Sequence, residues 1–385
     1  MKQLLFGLVL SSVVLFAACT PDPIPGGLGT SGNLLDIPYA PRSYVIVKPA
    51  GFLQILIPAD NPMTHDGVQL GRRLFYDAIL SKDSTLSCSS CHLPQGSFTD
   101  NLAFSKGVED MAGRRSAMSL LNIAYSNKLF WDGRSPSLED QALRPVEDPI
   151  EMHAMWPQVV EKLQKHPTYP ALFRKAFGIS TTDEISKELT AKALAQFERI
   201  LISSGNSKYD RLLRGEVEFT DEEIDGKIMF FDQANAVGVN LPDAQCLHCH
   251  KGPIFTENNF FNNALDSVAS LDGFSDKGRW EATKTDTMDK GKFRAPGLYN
   301  IALSAPYMHD GRFQTLEQVL DHYSHNGFGV VNEDPFISQI GPIIPGSNPV
   351  RHAGLNAYQK SAIIAFLHTL TDTDFVNNPD IASPF

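Results

Sequence analysis

The chain has 385 residues, 42% of them apolar and 20% charged, which is enough to bury real cores and excludes disorder throughout. Its 33 Lys and Arg face 44 Asp and Glu, and the formal charge of −11 disfavours nucleic acid and anionic membrane as partners. Beyond residue 20 no apolar run is long enough to predict an internal transmembrane helix.

From the start of the chain, residues 1–18 read as an export signal, with Lys2, the apolar stretch Leu4 to Phe16, and Ala17-Ala18 before a cut. The segment Leu15-Phe16-Ala17-Ala18-Cys19 resembles a bacterial lipoprotein signal. It predicts a lipid on Cys19 and a lipid-anchored protein on the periplasmic side of the cell envelope. Residues 19–45 begin rich in Pro and Gly and are expected to act as a tether.

The remainder divides into two similar units, expected at residues 46–204 and 205–375, with a tail at 376–385. Gly71-Arg72-Arg73-Leu74-Phe75-Tyr76-Asp77 precedes Cys88-Ser-Ser-Cys91-His92, and Gly226-Lys227-Ile228-Met229-Phe230-Phe231-Asp232 precedes Cys246-Leu-His-Cys249-His250. Residues 113–141 align without a gap on 291–319 and match at Gly113/Gly291, Asn122/Asn300, Asp132/Asp310, Gly133/Gly311 and Arg134/Arg312, among others. Apolar spacing predicts helices over Asp183–Ser203 and Asn356–Leu370, and a capping box at Thr220 opens another through Phe231. Alternating strand patterns are scarce, so the fold class is mainly α.

A Cys-x-x-Cys-His motif has three candidate meanings. Two closed zinc sites would need more thiolates than the four these motifs supply. A redox dithiol wants a βαβ setting that the helical pattern does not offer. A c-type haem needs nothing further: both thiols join the porphyrin edge from one turn, and the adjacent His binds the iron. Two covalent haem c groups are therefore expected, on Cys88 and Cys91 with His92, and on Cys246 and Cys249 with His250. His248 is expected to face solvent.

These motifs, with Phe130-Trp131-Asp132-Gly133-Arg134, Gln141, Glu151-Met152, Lys292-Phe293-Arg294-Ala295-Pro296 and Pro306-Tyr307-Met308-His309-Asp310-Gly311, resemble the bacterial di-haem cytochrome c peroxidase and MauG family. The resemblance implies two cytochrome c-like helical domains, a peroxide-reactive first haem and an electron-transfer second haem. It assigns Glu151 as the distal acid, Gln141 and Phe130 as pocket residues, and Trp131 as the ring between the haems. Other members block the first iron with a distal His; none stands between His92 and His153 here, so that iron is expected to be open, with Met111 or Met118 as the alternative ligand. The second haem's sixth ligand matches Tyr323, with Met308, His322 and His325 as rivals. A calcium site is implied at Ser116, Ser304 and Pro306, where Ser116 replaces an Asn and is the poorer ligand. The expected partners are hydrogen peroxide and a small donor such as cytochrome c, with a homodimer by analogy alone. Peroxide reduction leads, ahead of MauG-like oxidation of residues on a partner protein and of a non-enzymatic electron-transfer lipoprotein.

Overall fold

The computed structural model describes residues 32–324, 331–334 and 354–385; Cys19, the export signal and His325 lie outside these residues. Its helices in chain order are α1 (His65–Tyr76), α2 (Cys88–Cys91), α3 (Leu138–Glu147), α4 (Trp156–Lys165), α5 (Tyr169–Phe177), α6 (Lys187–Glu198), α7 (Lys208–Leu213), α8 (Asp221–Phe230), α9 (Ala234–Val237), α10 (Arg279–Thr283), α11 (Leu316–Ser324), α12 (Ala357–His368) and α13 (Thr373–Val376). Strand β1 (Phe260–Phe261) pairs antiparallel with β2 (Phe293–Arg294), Phe260 opposite Arg294.

Each half is built on one helix crossing. α1 lies across α6 at Gly71, and α8 across α12 at Gly226. A Cβ on Gly71 would overlap the carbonyl of Ala193, and one on Gly226 the carbonyl of Ala362. Only glycine lets the backbones approach this closely. Around the first crossing Leu74, Phe75, Leu194 and Phe197 form one core; around the second, Phe230, Ile363 and Phe366 form another.

The aligned repeat recurs in the backbone. Asn122 and Asn300 both adopt left-handed angles, φ 62° and 57°. Asn122 donates its N–H to Leu201 O and accepts from Ser203 N, so it holds the chain just past α6. Asn300 does the same past α12, with Leu370 O and Asp372 N. The loops that follow close through matching bridges, Leu129 with Ser135 and Tyr307 with Phe313.

Three local expectations change. The helix expected from Asp183 starts at Lys187: Thr181 and Glu184 cap a separate short turn, and the Ser186 side chain caps α6 by accepting from Leu189 N at 3.3 Å. The tether does not extend to residue 45, because Leu34 is buried in the first core and its N–H donates to Ser180 O. Residues 376–385 are not a loose tail either. Phe375 and Ile381 enter the first core, while Arg72 and Tyr76 donate to the carbonyls of Ala382 and Ile381 at 2.7 and 2.6 Å. The end of the second unit is thereby strapped onto the first.

Gly71→Val places a branched side chain against a backbone carbonyl. It is expected to destabilise the holoprotein by about 1–3 kcal/mol, the usual cost of overpacking. Urea unfolding checks this, and an unchanged midpoint would show that the crossing does not depend on contact at Gly71.

Candidate active site

Both proximal histidines are prepared in the same way. His92 Nδ1 donates to Phe98 O at 2.8 Å. His250 Nδ1 lies 3.1 Å from both Phe255 O and Pro296 O. Burial lowers both imidazole pKa values, so each ring is neutral, with Nε2 left to ligate. Phe98 and Phe255 take left-handed backbone angles, φ 63° and 55°, that turn their carbonyls toward the rings. Neither was singled out from the sequence, although the repeated Phe-Thr-acid tripeptides, Phe98-Thr99-Asp100 and Phe255-Thr256-Glu257, were the available signal.

Burial also pushes the thiols up, Cys91 to about 11 and Cys246 and Cys249 to about 12, with Cys88 higher still. His248 is partly exposed, 3.7 Å from Asp232.

On the first site, Glu151 follows a turn in which its N–H donates to Asp148 O, and its own carbonyl accepts from Val108 N. Burial pushes its carboxyl up to about 7; Asp148 adds to the shift and Arg134 opposes it. Repulsion from its carboxylate adds to the upward shift of Cys88 and Cys91, and Lys82 N donates to Met152 O, which ties the residue after Glu151 to the segment leading into the haem-attachment turn. Gln141 on α3 buries an Oε1 that has no hydrogen-bond partner. Phe130, at φ 66°, lies under the Arg134 guanidinium at 3.5 Å from the ring centre. Of the alternative iron ligands, Met111 is exposed and the Met118 backbone lies near the His92 ring. A second acid, Glu198, was missed in the sequence; it is buried on α6 near Cys88 and pushed up to about 8.

On the second site, His250, Cys246, Cys249, Met308 and Tyr323 line one large, mostly apolar cavity. Burial pushes the Tyr323 phenol up to about 12, while a hydrogen bond from Asn263 works against the shift. Of its rivals, His322 has its Nε2 2.8 Å from Asn263 O.

Trp131 follows Phe130 directly in the chain and lines the second cavity. Its indole N–H donates to Ser116 O at 2.9 Å, its carbonyl accepts from Arg294 N, and its ring reaches the second cavity. His309, its counterpart in the repeat, stands 6.5 Å away edge-on and stacks 3.6 Å from Phe293. Arg294 supplies the test of fit for a haem. Its guanidinium is fully buried beside the cavity, burial lowers its pKa to about 10, and its Nε and Nη1 have no partner. An uncompensated buried cation costs several kcal/mol. A haem carries two carboxylates, and Arg294 would hold one of them.

Calcium fits less well. The Ser116 hydroxyl donates to Met308 O at 2.9 Å, and Asn101 takes the carbonyls of Leu303 and Ala305, which flank Ser304 and precede Pro306. No part of the chemistry below needs a calcium ion.

Paired helical units, each presenting Cys-x-x-Cys-His beneath a locked imidazole, define a protein with two covalently bound haem c groups. Residues 65–218 match the family model described as di-haem cytochrome c peroxidase. The chain is 35% identical over 270 residues to methylamine utilization protein MauG of Methylorubrum extorquens, covering 70% of this chain and 72% of that relative. It is 32% identical to cytochrome c551 peroxidase of Pseudomonas aeruginosa, covering 67% and 72%. A solved MauG-like protein associated with microbial copper homeostasis superposes with a TM-score of 0.78 at 32% identity, over 89% of this chain and 99% of that one. The chain belongs to the di-haem cytochrome c peroxidase family.

The thioether assignment predicts that the denatured holoprotein retains the mass of two haems. The double substitution Cys246→Ser/Cys249→Ser is expected to leave one. Intact-chain mass spectrometry reads this directly, and two retained haems in that variant would contradict the assignment.

Proposed function

We propose that the chain is a di-haem peroxidase that reduces hydrogen peroxide to water, H2O2 + 2 H+ + 2 e− → 2 H2O, with electrons from a small donor such as cytochrome c. Residues 46–204 would carry the peroxide-reactive haem on His92. Residues 205–375 would carry the electron-transfer haem on His250 and Tyr323. The observation that carries this reading is Glu151, an acid poised by burial at about 7 beside the first haem-attachment turn. When bound, the first haem supplies the iron that takes up peroxide and delivers electrons to it.

The chain's own residues manage the proton. Ionised Glu151 accepts a proton from the near oxygen of peroxide and returns it to the far oxygen, which leaves as water when the O–O bond breaks. Gln141, with its unpaired buried Oε1, accepts a hydrogen bond from a peroxide O–H and orients it. Phe130 excludes water from one side. Trp131, which lines the second cavity next in sequence to Phe130, would offer an aromatic route for charge between the haems. Lipidation at Cys19 would hold the enzyme to the periplasmic side of the envelope, where the donor is met; among the described residues no helix is long and apolar enough to cross a membrane.

One observation favours a second reading, peroxide-driven oxidation of residues on a partner protein: Tyr323 lines the second cavity, and a phenolate ligand stabilises oxidised iron. Steady-state peroxide turnover with reduced cytochrome c separates the two. The first reading expects sustained turnover; the second expects little turnover until a protein substrate is supplied.

Glu151→Gln is expected to keep both haems and slow peroxide consumption by roughly 10²-fold or more, the scale of lost acid–base catalysis. Because the ionised carboxylate is the base, the parent rate should rise with pH through about 7 and then level, and the variant should lose that rise. Stopped-flow mixing across pH checks both; a fully loaded variant with the parent's rate and profile would remove Glu151 from the chemistry.

A further inference from the structure

We propose that Asn263 is the positioning residue that gives the sixth coordination position of the second haem to Tyr323 and withholds it from Met308. This rests on the reading of Tyr323 as that ligand. The Asn263 amide Nδ2 lies 3.2 Å from Tyr323 Oη and 3.4 Å from Met308 Sδ. Both side chains line the same cavity as His250, so one amide touches both competitors for the iron. The same residue occupies a third candidate, since His322 Nε2 lies 2.8 Å from the Asn263 carbonyl.

The competition is uneven for a chemical reason. The amide has two N–H groups and meets both side chains, but a phenol oxygen is a strong acceptor and a thioether sulfur a weak one, so its hold on Tyr323 is the tighter. Held there, it stabilises negative charge on the oxygen, the form that binds ferric iron best, and it fixes the ring's direction. The nitrogen at the same time stands against the sulfur. Met308 is otherwise well placed to reach metal. Its backbone sits at φ 75°, pinned by the Ser116 hydroxyl on its carbonyl and by Tyr307 N donating to Phe313 O. Its three flexible side-chain torsions let the sulfur travel without moving that backbone.

The consequence is functional. Thioether ligation raises haem potential and phenolate ligation lowers it. Asn263 therefore decides whether the second haem stores oxidising equivalents or serves as a high-potential electron store.

The test uses the full haem-loaded chain and two variants, Asn263→Leu, which removes the amide, and Asn263→Asp, which keeps its shape but offers acceptor oxygens. The readouts are ferric absorption and electron paramagnetic resonance spectra, with the midpoint potential of the second haem. Both variants should lose the phenolate-to-iron charge-transfer band, gain the thioether–iron band, and show a higher potential. Adding Met308→Leu to Asn263→Leu should abolish the new band, while Met308→Leu alone should leave the parent spectrum intact. An unchanged spectrum and potential in both variants overturns the proposal, as does a second haem that turns high-spin without gaining the thioether band. If Asn263→Leu loses haem, the isosteric Asp variant carries the test. A parent protein without the phenolate band overturns the Tyr323 reading, and the proposal with it, before any variant is compared.

Discussion

Where Gly71 meets the Ala193 carbonyl and Gly226 meets that of Ala362, two helix backbones touch with nothing between them. Everything that does chemistry hangs from these crossings. Each sets the direction of the helix entering the cysteine motif, and Asn122 and Asn300 grip the chain as it leaves the crossing partner. From those asparagines the loops run directly to Phe130-Trp131 and Met308-His309. A small displacement at the crossing would therefore move the proximal imidazole and the pocket residues relative to each other.

The two frames match in backbone and differ in what they display. Phe130 and Met308 share a left-handed conformation, φ 66° and 75°, yet one lies against Arg134 and the other presents a sulfur to the second cavity. Trp131 and His309 occupy equivalent positions and lie edge to face across the junction. Arg115 fixes that junction, with Nη1 on Asp132 and Nε on Asp276, both at 2.7 Å. Such buried pairs contribute little net stability, and their value lies in holding one orientation. Orientation matters here because it sets how Trp131 meets the second cavity.

Features carried by local pattern were legible in the sequence: the cysteine motifs, the internal repeat, the capped start at Thr220, and through resemblance the family itself. Features made by distant partners were not. Asn263 reaches Tyr323 across 60 residues, and nothing in its neighbourhood marks it as a ligand-positioning group. Arg294 stood inside a quoted motif, but only burial reveals that its charge is uncompensated. Leu34 and Ile381 lie in polar, Pro-containing stretches that read as linkers, and they count as core only because the first unit's surface receives them.

The proposed peroxidase chemistry requires a first haem that is open at rest, and the chain between His92 and Glu151 contains no imidazole to close it. Electron paramagnetic resonance of the resting, fully oxidised protein tests it most directly, followed by mixing with hydrogen peroxide. The account predicts one high-spin and one low-spin ferric haem, and a spectral change immediately on adding peroxide without prior reduction. Two low-spin haems that ignore peroxide until one has been reduced would contradict it.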